Sequence, residues 1–309
     1  MSRLRSFRYR TEYVLVRLLG GLVCALPHRC ALAVAHGVAR IAYACARKRR
    51  REAQRRIWIV FGDTLSSKAV KRIAWISFRN TAFNAAEMLR VARFGHDELN
   101  RIMPELEAVV ARLRTLIEET EGRGLILALP HMGNWDLAGS GCYLSGLPIF
   151  SVAGKQRNER MNDLINRLRA GHGMEILERG GGTIRQILSR IRSGQIFAIL
   201  PDTRSFTPDI LAPFLGDVAN LARGMASFAY TANVPVVPLV IRRQGWSRFS
   251  IETFDEIRPD LTAEKSAECV RITREVASII DAAIRETPEQ WFWYNKRWVL
   301  DPVDGKGDR

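Results

Sequence analysis

Between Gly124 and Pro130 lie five consecutive apolar residues, Leu125-Ile126-Leu127-Ala128-Leu129, and His131-Met132-Gly133-Asn134-Trp135-Asp136 follows at once. A run that is apolar at every position reads as a strand buried on both faces, the kind found in a mostly parallel sheet covered by helices. Open sheets of this kind carry their active sites at the carboxyl ends of the strands, which is where His131 stands. Residues five apart on a helix point about 140° away from each other at ~100° per residue. His131 and Asp136 therefore meet only if His131 lies in the loop and Asp136 in the first turn of the next helix. Gly133 then makes the turn and Asn134 the N-cap, and the carboxylate suits the positive end of the helix dipole. The expected product is an imidazole held by a carboxylate, half of a general-base dyad.

The rest of the chain supplies a sheet for this strand. Strands are expected at 124–129, 147–153, 174–177, 195–200, 235–242 and 248–254. Helices are expected between them at about 134–145, 158–171, 182–193 and 220–232, with a last one at 262–286. Strands alternating with helices at this spacing give an α/β fold, with a mostly parallel central sheet flanked by helices. Residues 64–121 read as two or three further helices, one of them over Lys68–Arg93. Five cysteines, Cys24, Cys30, Cys45, Cys142 and Cys269, contain no CxxC and no metal-ligand spacing. They read as small buried residues in a reducing compartment, and no metal is implied.

The net charge of +15 is concentrated at one end: residues 1–60 hold fourteen Lys/Arg against Glu12 and Glu52. Two helices joined at Pro27 are expected there, at about Tyr9–Leu26 and Cys30–Cys45, followed by Arg47-Lys48-Arg49-Arg50-Arg51. The first is interrupted by Arg17 and is shorter than the ~20 apolar residues a spanning helix needs. Apolar helices flanked by arginine fit a segment lying on an anionic membrane surface. The alternatives are a single span, or a packed helical layer with a solvated basic edge. No aromatic-interleaved or helix-turn-helix pattern accompanies the charge, so nucleic acid is not expected as a partner.

A second strand end repeats the first. Ile196-Phe197-Ala198-Ile199-Leu200 runs to Pro201, and Asp202-Thr203-Arg204-Ser205 follows. This puts a carboxylate, two hydroxyls and a guanidinium on the same edge as His131, a set suited to an anion. Ala212-Pro213-Phe214-Leu215-Gly216, Ala222-Arg223-Gly224 and Val234-Pro235-Val236-Val237-Pro238 come next. The aromatic tail Thr287-Pro288-Glu289-Gln290-Trp291-Phe292-Trp293-Tyr294-Asn295-Lys296-Arg297-Trp298 closes the series. Its tryptophans suit either an interfacial belt or core packing.

Taken in order, these blocks resemble the glycerolipid acyltransferase superfamily, in which His131 to Asp136 matches the HX4D motif. The nearer resemblance is to the lipid A late acyltransferases (lauroyl/myristoyl acyltransferases) and the related phosphatidylinositol mannoside acyltransferases. The basic N-terminal helices, Asn166-Arg167-Leu168-Arg169 with Gly173, and the Pro-Glu-Gln-Trp ending carry it, over about residues 10–300. The resemblance implies a membrane-associating segment over 1–60 and an acyltransferase domain over 61–309. It implies an acyl thioester donor, on acyl carrier protein or coenzyme A, and no other cofactor. The acceptor is a hydroxyl of a lipid A precursor or of another glycolipid, aminolipid or lysophospholipid, and the setting is the cytoplasmic face of a bacterial inner membrane. His131 is the expected base and Asp136 its orienting group. Arg169, or backbone N–H groups near Gly133, is the expected oxyanion donor. Asn134, Trp135, Asp202, Thr203, Arg204 and Arg223 are the expected substrate contacts. An inactive lipid-binding protein on the same fold is the alternative of another class.

Overall fold

A computed structural model describes residues 3–154, 158–170 and 175–302. The strands are β1 (Ile126–Ala128), β2 (Ile149–Ala153), β3 (Glu175–Glu178), β4 (Ile196–Ile199), β5 (Ile210–Phe214), β6 (Asp217–Leu221), β7 (Val236–Gln244) and β8 (Arg248–Thr253). Six of them form one sheet in the order β3-β2-β4-β1-β7-β8. Every pairing in it is parallel except that of β7 with β8. The six expected strands are all present, and the α/β architecture with a mostly parallel sheet stands.

β1 lies between β4 and β7, and its apolar run is divided between two cores. Ile126 and Ala128 face one layer, while Leu125, Leu127 and Leu129 face the other. Burial of each leucine or isoleucine contributes roughly 1.5–3 kcal/mol, which leaves no tolerance for a polar residue on either face.

The helices are α1 (Arg3–Ala25), α2 (His28–Cys45), α3 (Arg47–Phe61), α4 (Ser67–Leu89), α5 (His96–Ile102), α6 (Leu106–Glu119), α7 (Trp135–Leu144), α8 (Glu159–Ala170), α9 (Thr183–Arg192), α10 (Gly224–Ala232) and α11 (Lys265–Glu286). α6 and α7 cover one face of the sheet through Leu113, Leu116, Leu137 and Cys142. α9, α10 and α11 cover the other through Ile187, Met225, Ala229 and Val276. The connection after β1 thus runs to one face and the one after β4 leads to the opposite face. A crevice opens between two such strands at their carboxyl ends.

Two elements differ from the sequence expectation. The basic run is itself the start of a helix, α3, which buries Ala53, Arg56 and Ile57 and exposes Arg47, Arg49 and Arg51 of its first turns. The segment around Pro213-Phe214-Leu215-Gly216 is a hairpin of β5 and β6. Its two-residue turn has both φ angles positive, +54° at Leu215 and +85° at Gly216. That backbone is usually announced by Asn-Gly or Asp-Gly, so Leu-Gly carries no clear signal.

α1 and α2 meet at Pro27, as expected. α2 packs on α4 through Leu32, Ala35, Phe83 and Ala86. α1 leaves a row outward, with Phe7, Leu15, Leu18 and Leu22 each at least half exposed. Those positions share one helical face. No helix among the described residues is long and apolar enough to cross a membrane.

Candidate active site

β1 and β4 are neighbours in register, Ile126 beside Phe197 and Ala128 beside Ile199. Their carboxyl ends therefore deliver His131 and Asp202 to one place. The Asp202 carboxylate receives three donors: the His131 backbone N–H at 2.7 Å, the His131 ring through Nδ1 at 2.6 Å, and the Trp291 indole N–H at 2.7 Å. The His131 side chain is 22% exposed, whereas that of Asp202 is fully covered. Burial pushes the Asp202 carboxyl up. The charge of the His131 ring and the hydrogen bonds from the ring, from Trp291 and from the His131 amide outweigh it, and the net position is below the ordinary carboxylate range. Asp202 is thus an ionised carboxylate in a dry setting, and Nδ1 must carry the proton that bonds to it. In the neutral ring the lone pair is then on Nε2, which no group among the described residues engages.

The sequence reading gave this orienting role to Asp136. The structure gives the Nδ1 contact to Asp202, 71 residues further along the chain. The reason is geometric: the strands deliver two loop residues side by side, whereas Asp136 belongs to the first turn of α7. Asp136 still faces the same cavity as His131. The local turn is as expected. Gly133 has φ +58°, and a Cβ there would stand 2.4 Å from the Ile241 carbonyl oxygen, so only glycine fits. Asn134 caps α7, its side chain accepting from the Leu137 N–H at 3.1 Å.

The cavity has a volume of about 1000 Å³, at the upper end of the roughly 300–1,000 Å³ typical of small-molecule sites. Leu127, Leu129, Ala138 and Cys142 line it from one face of the sheet, and Ile187, Phe197 and Phe228 from the other. It therefore wraps around the carboxyl edge of the sheet with apolar walls on both sides. Trp135 sets its ring edge-on to His131, centroids 5.2 Å apart. Burial pushes the Cys142 thiol up to about 12, which makes it inert as a nucleophile near neutral pH.

The remaining candidates separate. Trp135, Thr203 and Arg204 line the cavity. Asn134 is buried and outside the lining, spent on the α7 cap and on Glu87. Arg223 is likewise outside the lining, and Asp209 holds its guanidinium on the surface and raises its pKa. The backbone of Arg169 belongs to the last turn of α8, while its side chain, like Gly173, lies outside the described residues.

The tail supplies what sequence reasoning left open. Trp291, Trp293 and Trp298 are buried, which is core packing. Met132 and Trp291 form an antiparallel bridge, and the Phe292 N–H donates to the His131 carbonyl at 3.0 Å. Trp291 was missed as a partner of the dyad, although the Pro-Glu-Gln-Trp block had marked its segment.

The sequence model of the family described as "Bacterial lipid A biosynthesis acyltransferase" matches residues 1–299. The chain is 25% identical over 193 residues to a phosphatidylinositol mannoside acyltransferase of Mycolicibacterium smegmatis, covering 61% of each chain. It is 24% identical over 221 residues to one from Mycobacterium tuberculosis, covering 70% of this chain and 66% of that one. It is 26% identical over 181 residues to a lipid A biosynthesis acyltransferase of Haemophilus influenzae, covering 57% of this chain and 54% of that one. The chain thus spans less than two thirds of the length of each of these relatives. With the family match running over nearly every residue, the chain belongs to the bacterial lipid A biosynthesis acyltransferase family.

Proposed function

We propose that this protein transfers a fatty acyl chain from an acyl thioester to a hydroxyl of a glycolipid, with a lipid A precursor as acceptor. The observation that carries the reading is the His131–Asp202 pair, with Nε2 turned to an apolar cavity of about 1000 Å³. An alcohol is a weak nucleophile at neutral pH, so a base must take its proton during attack. His131 Nε2 receives the hydroxyl proton as the oxygen bonds to the thioester carbonyl carbon. Asp202 holds the ring in the needed tautomer and stabilises the imidazolium. The tetrahedral intermediate collapses with cleavage of the carbon–sulfur bond, and the proton leaves with the thiol. The products are an ester and a free thiol, on acyl carrier protein or coenzyme A. Arg169 remains the proposed oxyanion donor, with Asp136, Trp135, Thr203 and Arg204 lining the substrate space. The apolar walls take the acyl chain.

The N-terminal charge and the outward row of α1 support a peripheral position on an anionic membrane surface. The proposed location is the cytoplasmic face of the bacterial inner membrane. A second reading, transfer to a phosphatidylinositol mannoside, is favoured by the two mycobacterial relatives.

The test is mass spectrometry of membrane lipids from cells with and without the protein, paired with transfer assays on acyl carrier protein and coenzyme A thioesters. One added acyl chain on lipid A is the expected outcome. An added chain on a mannoside selects the second reading. Transfer by neither thioester would leave a lipid-binding protein. His131→Ala is expected to lower transfer by roughly 10²–10⁴-fold, and undiminished transfer removes the base.

A further inference from the structure

Behind the His131 turn lies a second polar cluster, built on a fully buried ion pair. Glu87, at the end of α4, has no exposed side-chain surface, and neither has Arg243, near the end of β7. The Arg243 guanidinium grips both Glu87 oxygens, at 2.9 and 2.6 Å. Phe249 and Phe83 flank it, their ring centroids 4.5 and 5.4 Å from the guanidinium carbon. The same carboxylate accepts from the Asn134 amide at 2.7 Å and meets His28 Nε2 at 3.0 Å. Arg243 also donates to the Asn84 side-chain oxygen at 2.6 Å, and the Asn84 amide donates to the Gly133 carbonyl at 2.6 Å. On its backbone side, Arg243 exchanges two hydrogen bonds with the Gln290 side chain, directly before Trp291.

Three of these links end on segments that touch His131: Asn134–Glu87, Asn84–Gly133 and Gln290–Arg243. Gly133 and Asn134 follow it in the loop, and Gln290 leads into the Trp291 that bonds Asp202. The turn after His131 and the segment before Trp291 thus converge on one ion pair. Burying a charge pair is costly unless hydrogen bonds offset the lost hydration; both Nη atoms of Arg243 are bonded, while its Nε has no partner among the described residues, and the bonds made fix the turn.

We propose that Glu87, clamped by Arg243, is a positioning residue for the reaction: through Asn134, Asn84–Gly133 and Gln290–Trp291 it sets where His131 Nε2 points. The inference rests on the reading of His131 as the base. A misplacement of about 1 Å at a reacting group costs up to roughly 10²-fold in rate, and its effect appears in kcat rather than in KM. The link also runs outward. His28 opens α2, and Arg90, three residues after Glu87, donates to the Val23 and Leu26 carbonyls of the α1–α2 elbow. The basic N-terminal helices are therefore tied to the same helix end that sets the turn.

The test compares Glu87→Gln with Glu87→Asp in the full chain, using an acyl thioester donor and lipid acceptor that the wild type accepts. Glu87→Gln is expected to lower kcat about 10–100-fold with KM changed less than about twofold. Glu87→Asp, which keeps the charge, is expected to recover part of the loss. Amide hydrogen exchange at 131–134 rises in Glu87→Gln while β8 stays protected. In a His131→Ala background the Gln substitution adds no further loss, because its effect passes through that ring. If Glu87→Gln does not fold, Arg243→Lys carries the same measurements, since it keeps the charge but loses the two-point grip. Unchanged kcat, unchanged exchange at 131–134, or an equal loss with and without His131 each overturns the proposal. Undiminished transfer by His131→Ala alone removes the base reading instead, and the exchange measurement still reports on the positioning.

Discussion

Asp202 and Glu87 are two carboxylates without exposed side-chain surface, each met by a cationic or basic side chain and by further nitrogen donors. Their partners differ. Arg243 is as buried as Glu87 and sits between two phenyl rings. His131 is 22% exposed, with one ring nitrogen bound and the other turned to a cavity. An ion pair with both members shut away from the cavity and from solvent can only hold structure in place. One left open at a single atom can move a proton. The two clusters share the Gly133–Asn134 turn, so the contrast lies in access to the cavity.

The largest effect expected is on chemistry at the open pair. Asp202→Asn keeps the shape but removes the charge that orients the ring, and transfer is expected to fall about 10²–10⁴-fold. Steady-state assays on purified protein check this, and a loss under about threefold would erase the distinction. At the closed pair the large effect is on stability. Glu87→Ala leaves Arg243 buried without its counter-charge and is expected to cost roughly 3–5 kcal/mol in urea unfolding, more than Asp202→Asn does.

Acid sharpens the comparison. Burial pushes the Glu87 carboxyl up, but Arg243 and His28 more than reverse this and bring it to about 2. A carboxyl whose folded pKa is depressed contributes stability that is fully present above its unfolded value, near 4.5, and is lost as the pH falls toward the folded value. The wild type is therefore expected to lose stability between about pH 4.5 and 2, and Glu87→Gln to lose less over the same window. Unfolding midpoints at stepped pH measure it, and equal slopes would contradict the sign. The smallest effect concerns thiols. With Cys142 buried and its thiol at about 12, alkylation at mildly basic pH is expected to modify the exposed Cys30 and Cys45 and spare Cys142. Peptide mapping reads this, and rapid labelling of Cys142 would return it to consideration.

Much of this was legible beforehand because it depends on local pattern. The unbroken apolar run fixed β1 as a doubly buried strand, and Gly133 and Asn134 announced the turn and cap. The second strand end at Pro201 placed Asp202 on the right edge. What the sequence does not carry is adjacency. Which strand lies beside β1 decides whether Asp136 or Asp202 meets the ring, and β4 follows β1 by 70 residues. Glu87 and Arg243 were invisible for the same reason, being charged residues in largely apolar-patterned elements 156 residues apart. The hairpin of β5 and β6 escaped because Leu-Gly does the work usually given to Asn-Gly.

The tail has one more consequence, in the order of synthesis. A ribosome makes His131 first, Asp202 after it, and Trp291 only 89 residues after Asp202. All eight strands among the described residues precede Trp291. A nascent chain can thus hold a complete sheet while the carboxylate still lacks its indole and the His131 carbonyl still lacks the Phe292 N–H. Domains generally begin to fold from the end made first. The His131–Asp202 pair gains its last partners at the end of that order, so the proposed activity would wait on the tail even where the sheet had already formed.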